Sequence, residues 1–299
     1  YGSAPALYTL EDADGPPKRK RLNSFALLEC ILLPWGIFVG TFWLLSFSVH
    51  YDHKEVTYFL LALGLSVAPG LALKWYMHLG AAEHSWWLYL AAASLVAWLV
   101  GVGLGSSNFS ANMQPYYELS AMGLAHGVDP RASPGDQYLD AGRLIFKEGT
   151  HIKQDLALGY KDGTTYCVAP VVYDSNVSMT SFDYWAVGTD CCVAVPPASF
   201  WCGDGALDVE SHAAVRWTGG RENFMRAIEM AEAEYRIKAG KTPLLLTWSQ
   251  DPVAHTHEQR AAGVRFFHVC TWVYLVLQAL AFLILAGCYW RLYTNGRLP

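Results

Sequence analysis

The chain has 299 residues, of which 53% are hydrophobic and only 16% are charged, a composition typical of membrane proteins rather than of soluble domains. Its formal net charge of -5 provides no large basic surface, so nucleic acid is excluded as a partner. The composition predicts an integral membrane protein.

Four apolar segments are long enough to cross about 30 Å of hydrocarbon, which takes about 20 helical residues. They occupy residues 25–49, 56–77, 86–105 and 264–289. Aromatic residues cluster at their ends, as in KWYMH, SWWLY and CYWRLY, where amphipathic rings favour the headgroup level. The sequence predicts four transmembrane helices, three within residues 25–105 and the fourth within residues 264–290.

Basic residues in the short flanks predict the orientation, because Lys and Arg close to a span resist translocation. Residues 18–21 read KRKR before the first span, whereas the flank behind it offers only Lys54. We expect residues 1–24 and 291–299 to be cytoplasmic or stromal tails, and residues 106–263 to be extracellular or lumenal. The plasma membrane or an endomembrane is the favoured location, and a thylakoid is the alternative because its lumen also tolerates disulfides.

Residues 106–263 predict an α+β domain. Its first third, with GVDPRASPGDQ, is expected to be rich in loops, and LALGYKDGTTYCVAPVVY predicts two strands around a Lys-Asp-Gly turn. SFDYWAVG and TPLLLTW predict two more strands. An apolar stripe predicts a helix from about Arg221 to Ala239, with Gly240 as its stop. Asp251 as cap and Pro252 as first helical residue predict a last helix that runs into the fourth span.

Four of the seven cysteines fall in this domain, at Cys167, Cys191, Cys192 and Cys202. An even number on the non-cytoplasmic side predicts two disulfides, which makes this a disulfide-stapled domain. Three pairings remain open, although a bond between the adjacent Cys191 and Cys192 would be strained. Neither the paired Cys-x2-Cys knuckles of a zinc site nor a Cys-x-x-Cys redox motif occurs, so no metal is predicted.

Two Asn-X-Ser sequons, at Asn108 and Asn176, lie on the side predicted to be outside. Asn108 is only a few residues from the third span, which leaves Asn176 in its polar loop as the better candidate for glycosylation. The sequence therefore predicts a glycoprotein.

Several polar residues are candidates for binding. Five histidines should gather near the outer membrane face, where they could hold a metal, a haem, a pigment or a proton-sensitive contact: His50, His53, His255, His257 and His268. Their spacing matches no metal signature, so an ordinary interfacial role and no cofactor are predicted. Within the spans, Glu29, Lys74 and Gln278 are the residues that a transporter or channel would place along a polar path.

Two family resemblances follow from these motifs. Four spans with a large cysteine-bearing domain before the last, and the adjacent cysteine pair, resemble the layout of tetraspanins, although Val193 stands where that family has glycine. More closely, the series YCVAPVV, WAVGTDCC, FWCGD, AIEMAEAEY and PLLLTWSQDP resembles an uncharacterised family of multi-pass membrane proteins from dinoflagellates and related alveolates. This resemblance implies an anchored disulfide domain and brings no known activity.

The sequence contains no Gly-x-Ser-x-Gly elbow, no phosphate loop and no His-Glu-x-x-His motif. We therefore expect a non-enzymatic protein, an accessory or structural subunit of a larger membrane complex whose outer domain mediates recognition or assembly. Its expected partners are other membrane proteins, lipids and pigments. A transporter or channel component, a subunit of a thylakoid photosynthetic complex, and a redox or metal enzyme of the outer domain remain the alternatives.

Overall fold

A computed structural model of the chain describes residues 24–77, 84–173, 179, 181–193 and 199–294. Within these residues the helices are α1 (Ser24–Ser46), α2 (Ser48–Asp52), α3 (Lys54–Met77), α4 (His84–Asn108), α5 (Gln114–Ala121), α6 (Glu222–Tyr235) and α7 (Pro252–Thr294). The strands are β1 (Gly123–Val128), β2 (Ala141–Phe146), β3 (Thr150–Ile152), β4 (Leu158–Asp162), β5 (Thr164–Tyr173), β6 (Ser181–Thr189), β7 (Ala213–Arg216) and β8 (Lys238–Ser249). The chain thus combines long helices with one mixed sheet.

Among the described residues, four helices are long and apolar enough to cross a membrane, which agrees with the predicted number: Leu27–Ser46, Lys54–Met77, Trp86–Ala121 and Pro252–Arg291. The last two are longer than a bilayer requires. Helix α7 has 43 residues and is therefore about 65 Å long, roughly twice the thickness of the hydrocarbon layer. The third helix does not end at the predicted residue 105, because a π-helical turn at Phe109–Met113 joins α4 to α5.

Close packing of small residues holds α1 against α4. A Cβ atom added to Gly101 would lie 3.0 Å from Thr41 Cβ, and one added to Gly105 would lie 2.8 Å from Leu45 Cβ. This close approach of two backbones is the usual consequence of small residues spaced four apart in apolar helices. Helix α3 packs mainly on α4 and helix α7 mainly on α1, so α1 and α4 form the centre of the helical region.

The strands form one sheet in the order β1-β2-β7-β8-β6-β5-β3, with β4 paired to β5. Strands β1 and β2 are parallel, as are β6 and β8, and the other pairs are antiparallel. The predicted hairpin of β4 and β5 is confirmed, with Gly163 at φ +70° in the tight turn. The third predicted strand, now β6, is confirmed as well.

Helix α6 covers one face of this sheet. Its buried stripe of Phe224, Ala227, Ile228 and Ala231 packs in one cluster with sheet residues such as Trp185. The opposite face is packed with Phe146, Tyr184, Trp248 and other buried residues, together with the four cysteines of the domain. Alternate residues of the central strands therefore supply two separate hydrophobic clusters.

Three details of the predicted elements were wrong. Helix α6 ends at Tyr235 rather than Ala239, because Arg236 adopts a left-handed conformation at φ 55°. Gly240 is not the helix stop but a residue of β8, and its Cα lies against the Asp183 carboxylate. The expected loop-rich first third also contains regular structure, because α5, β1 and β2 occupy much of it.

The start of α7 follows the prediction. Asp251 Oδ1 accepts hydrogen bonds from the backbone N–H groups of Val253 (2.8 Å) and Ala254 (2.9 Å), which caps the helix. The helix then continues without interruption to Thr294. The sheet domain is consequently joined to the fourth apolar helix by helical backbone rather than by a loop.

Candidate functional site

The four cysteines of the sheet domain form two disulfides, Cys167–Cys192 and Cys191–Cys202. The adjacent cysteines therefore bond to different partners, which avoids the strained vicinal bond. Cys167 lies in β5, and the other three belong to the segment that follows β6. Both disulfides tie this segment to the sheet and to itself.

Residues 191–193 and 199–202 form a short two-stranded element that we term the cystine hairpin. Cys192 and Phe200 are paired as an antiparallel bridge. The Val193 N–H donates to the Ser199 carbonyl and the Trp201 N–H donates to the Cys191 carbonyl, each at 3.0 Å. Because side chains alternate along such a ladder, Val193 and Trp201 project to the face opposite Phe200.

The inner face of the hairpin is anchored in the core. Phe200 is buried in the same cluster as Phe146 and Trp248. Gln154 supports it from a neighbouring turn, because its Oε1 accepts from the Phe200 N–H at 2.9 Å and its Nε2 donates to the Ala206 carbonyl at 3.3 Å. These contacts fix the hairpin independently of the disulfides.

The outer face of the hairpin is apolar and exposed. Val193 and Trp201 are each 44% exposed, and two more apolar side chains follow, with Leu207 78% and Val209 88% exposed. We term these four residues the apolar set. Exposed apolar side chains on a fixed backbone commonly mark surfaces that bind a partner.

The turn that carries Leu207 and Val209 is itself fixed at the start of α7. Ser211 Oγ donates to the Ser249 carbonyl at 3.2 Å, and Gln250 Nε2 donates to Asp208 Oδ2 at 3.1 Å. A cleft of about 280 Å³ lies beside this turn, lined by Ile145, Glu210, Ser211, His212, Ala213, Gln250, Asp251 and Pro252. Leu207 and Val209 therefore lie on the turn that borders this cleft.

The cysteine sulfurs are not a metal site in this state. The Sγ atoms of Cys167, Cys191 and Cys202 lie within 4.8 Å of one another, a spacing that free thiolates could use to hold an ion. All three are bonded in disulfides, however, and the thiolate is the form that ligates metals. Among the residues that the structure describes, no other group of three histidine, cysteine or acidic side chains is close enough for an ion.

The five histidines predicted to gather near one membrane face stand in separate surroundings. The His50 ring lies 4.4 Å from the Phe109 ring, and its Nδ1 is buried without a hydrogen-bond partner in the described part of the chain. Burial, together with the Lys54 ammonium, lowers the pKa of His50. His255 contacts the Gln259 amide at 3.4 Å, while His53, His257 and His268 are exposed.

The three polar residues predicted for the spans do not line one buried path. Gln278 is buried, and its Nε2 donates to the Cys30 carbonyl at 3.2 Å and to Tyr89 Oη at 3.0 Å, which bridges α7 to α1 and α4. Glu29 and Lys74 are exposed, and Lys74 Nζ lies 3.6 Å from the centre of the Trp87 ring. Gln278 thus connects helices, as polar side chains do within apolar bundles.

The structure argues against glycosylation of Asn108. Its side chain is only 1% exposed, its Nδ2 donates to the Gly263 carbonyl at 3.2 Å, and its Oδ1 accepts from Asn112 Nδ2 at 2.9 Å. A glycan on this nitrogen would break the contact between α4 and α7 and has no space in the fold. Asn176 lies outside the described residues.

Sequence reasoning identified the cysteines but missed Trp201 as a surface residue. The signal was the triplet Phe-Trp-Cys, in which alternation places the phenylalanine inward and the tryptophan outward. Comparison with family models, curated proteins and solved structures gave no match to this chain.

Proposed function

We propose that the chain is an integral membrane protein with four spans, and that its sheet domain faces the extracellular or lumenal side. In this proposal it is a non-catalytic, accessory subunit whose cystine hairpin recognises a partner protein of a larger complex. The single observation that carries the proposal is an exposed aromatic anchor, Trp201, on a hairpin held by two disulfides.

The disulfides support the proposed side of the membrane, because such bonds persist mainly in oxidising compartments. The basic residues 18–21 before the first span support the same orientation, since they favour a cytoplasmic N-terminal flank.

The rigidity of the hairpin supports a role in binding. Ordering a rotamer-rich side chain or loop on association costs roughly 0.5–1.5 kcal/mol per side chain. The disulfides, the buried Phe200 and the Gln154 bridge hold the backbone of the hairpin in place beforehand, so the cost of ordering that backbone on binding is avoided. Large aromatic side chains in such settings are the usual binding hot spots.

The position of the apolar set favours a protein over the lipid surface. The turn that carries Leu207 and Val209 is tied to the residues just before α7, through the contact of Asp208 with Gln250. The apolar run of the fourth span begins at Val264, about 18 Å further along the helix. Asp208 and Glu210 also alternate with the two exposed side chains, and taking their charges out of water into a lipid layer would be unfavourable.

The proposal is tested by purifying the full chain from its native membrane, with chemical cross-linking and mass spectrometry of what accompanies it. Trp201→Ala should weaken retention of the main companion by about 30-fold, the effect of losing a hot spot of about 2 kcal/mol. Met230→Ala is the matched control, because Met230 is an exposed apolar residue on α6, across the sheet from the hairpin. A lone monomer, or equal retention by both variants, would contradict the proposal.

A further inference from the structure

We propose that the two disulfides act as one reactive unit that captures a thiol covalently, by exchange from the first disulfide to the second. The thiol would belong to a cysteine of a partner or to a small thiol such as glutathione. This inference rests on the four sulfurs alone and does not depend on the proposed recognition role or on the side of the membrane.

The sulfurs of both disulfides lie in one cluster. Cys167 Sγ is within 4.8 Å of the Sγ atoms of Cys191 and Cys202, which belong to the other disulfide. Gly188 stands directly across from Cys167 in the β5–β6 ladder. A Cβ atom at Gly188 would lie 2.7 Å from Cys191 Sγ and 2.8 Å from Cys202 Sγ, so the absence of a side chain there makes room for the cluster.

Exposure makes the two ends of each disulfide unequal. Cys167 is fully buried and Cys202 is 2% exposed, whereas their partners Cys192 and Cys191 are only partly buried. An incoming thiolate therefore reaches Cys192 or Cys191 first, and it expels a buried sulfur as the leaving group.

The exchange balances without any oxidant. The incoming thiolate attacks Cys192 Sγ, forms a mixed disulfide with it, and releases Cys167 as a thiolate. Cys167 then attacks the neighbouring Cys202 Sγ, forms a Cys167–Cys202 disulfide, and releases Cys191, which takes up the proton that the incoming thiol lost. Two disulfides are present before and after, and the negative charge leaves the buried Cys167 for the more exposed Cys191.

The adduct should persist because of where the last thiol is left. Direct expulsion of the captured thiol by Cys191 would need a bond to Cys192, the residue next to it, so release has to run back through Cys202 and Cys167. Adjacent Cα atoms are about 3.8 Å apart, less than the roughly 4.4–6.8 Å that disulfides span, so this bond is strained. Entry through Cys191 gives the mirror result, with the same Cys167–Cys202 bond and a free Cys192.

The test uses the oxidised full chain in detergent, exposed to millimolar reduced glutathione, quenched with N-ethylmaleimide and mapped by non-reducing peptide mass spectrometry. We expect glutathione on Cys192 or Cys191, the alkylating reagent on the other, and a new Cys167–Cys202 linkage in the same molecules. An adduct without the Cys167–Cys202 linkage, or no adduct at all, would overturn the proposal.

The double variant Cys191→Ser, Cys202→Ser distinguishes the two-step exchange through both disulfides, which we term the relay, from exchange at the Cys167–Cys192 disulfide alone. It keeps the Cys167–Cys192 disulfide but removes the second one, so the Cys167 thiolate can only return to the mixed disulfide. Held beside its target, that thiolate has a high effective concentration, and the adduct should fall by about tenfold or more. Equal amounts of glutathione adduct in the double variant and in the unmodified protein would count against the relay. If the variant misfolds, the disulfide map of the unmodified protein still tests the proposal.

Discussion

Replacing Gly188 by alanine tests whether the Cys191–Cys202 disulfide packs directly against the sheet at this residue. The added methyl group would lie 2.5 Å from Cys202 Cβ, 2.7 Å from Cys191 Sγ and 2.8 Å from Cys202 Sγ. Carbon atoms in contact prefer a separation of about 3.5–4.0 Å, so the neighbouring atoms must move by roughly 1 Å. They belong to a closed disulfide and not to the free end of a side chain, which leaves little room for adjustment.

Overpacking of this kind costs about 1–3 kcal/mol, and the rigid cystine places Gly188→Ala near the upper value. Hydrogen exchange of β5 and β6, followed by mass spectrometry of the full chain in detergent, measures the local free energy of opening. A loss of about 3 kcal/mol should speed exchange in these strands by about a hundredfold.

Gly220→Ala is the matched control, because no atom lies within 4 Å of a Cβ atom at Gly220. It should change the opening free energy by less than about 0.5 kcal/mol. Removing Cys191 and Cys202 together should shrink the penalty of Gly188→Ala, which a double-mutant cycle would show as coupling. If Gly188→Ala were as harmless as Gly220→Ala, the disulfide could not lie where the structure has it.

Three further predictions concern the helices and the sheet edge. Gly105→Leu should lower the thermal unfolding midpoint because it separates α4 from Leu45 of α1, while Gly103→Leu, with open space around its Cβ, should not. Asn108→Leu should cost about 1 kcal/mol in detergent unfolding, whereas an unchanged midpoint would mean that its bond to α7 carries no stability. Burial alone would raise the pKa of Asp129, but the Arg131 amide and the Lys147 ammonium bring it below its ordinary value. Its stabilising effect should therefore be present above about pH 4 and be lost as the pH falls through the lowered pKa; Asp129→Asn should remove this acid dependence of the unfolding midpoint.

The four long apolar helices and the hairpin of β4 and β5 could be predicted because their signals in the sequence are local. Hydrocarbon thickness sets the length of an apolar helix, and a Lys-Asp-Gly turn between two apolar strands specifies its own geometry. The end of α4 was not predictable in this way. Ser106 and Asn108 are polar and suggest a loop, but Asn108 is buried by Gly263, a residue far away in the sequence. Its polarity serves a contact between helices that no local pattern reveals.

Strand β2 was missed, and the cysteine pairing was left open, for a similar reason. The segment AGRLIF begins with small and charged residues, and Gly142 is buried where a Cβ atom would lie 3.1 Å from the Leu119 carbonyl of α5 and 2.8 Å from Met122 Cβ just behind it. The cysteine pairing depends on which strands are neighbours. Cys167 meets the segment after β6 because β5 and β6 are paired, and that pairing is set by the whole sheet.

The connections between the sheet domain and the apolar helices bear on how the hairpin could work. Two helical segments, α7 and the run from α4 to α5, leave the apolar region together, and they are locked to each other where Asn108 and Met113 meet Gly263. Helix α5 is fixed to the sheet through Gly142, and α7 is capped by Asp251 directly after β8. A domain held by two packed helices cannot swing as one on a flexible linker would. The cystine hairpin would therefore meet its partner at a fixed height above the bilayer, which suits a subunit that positions a neighbour within a complex better than one that searches for distant ligands.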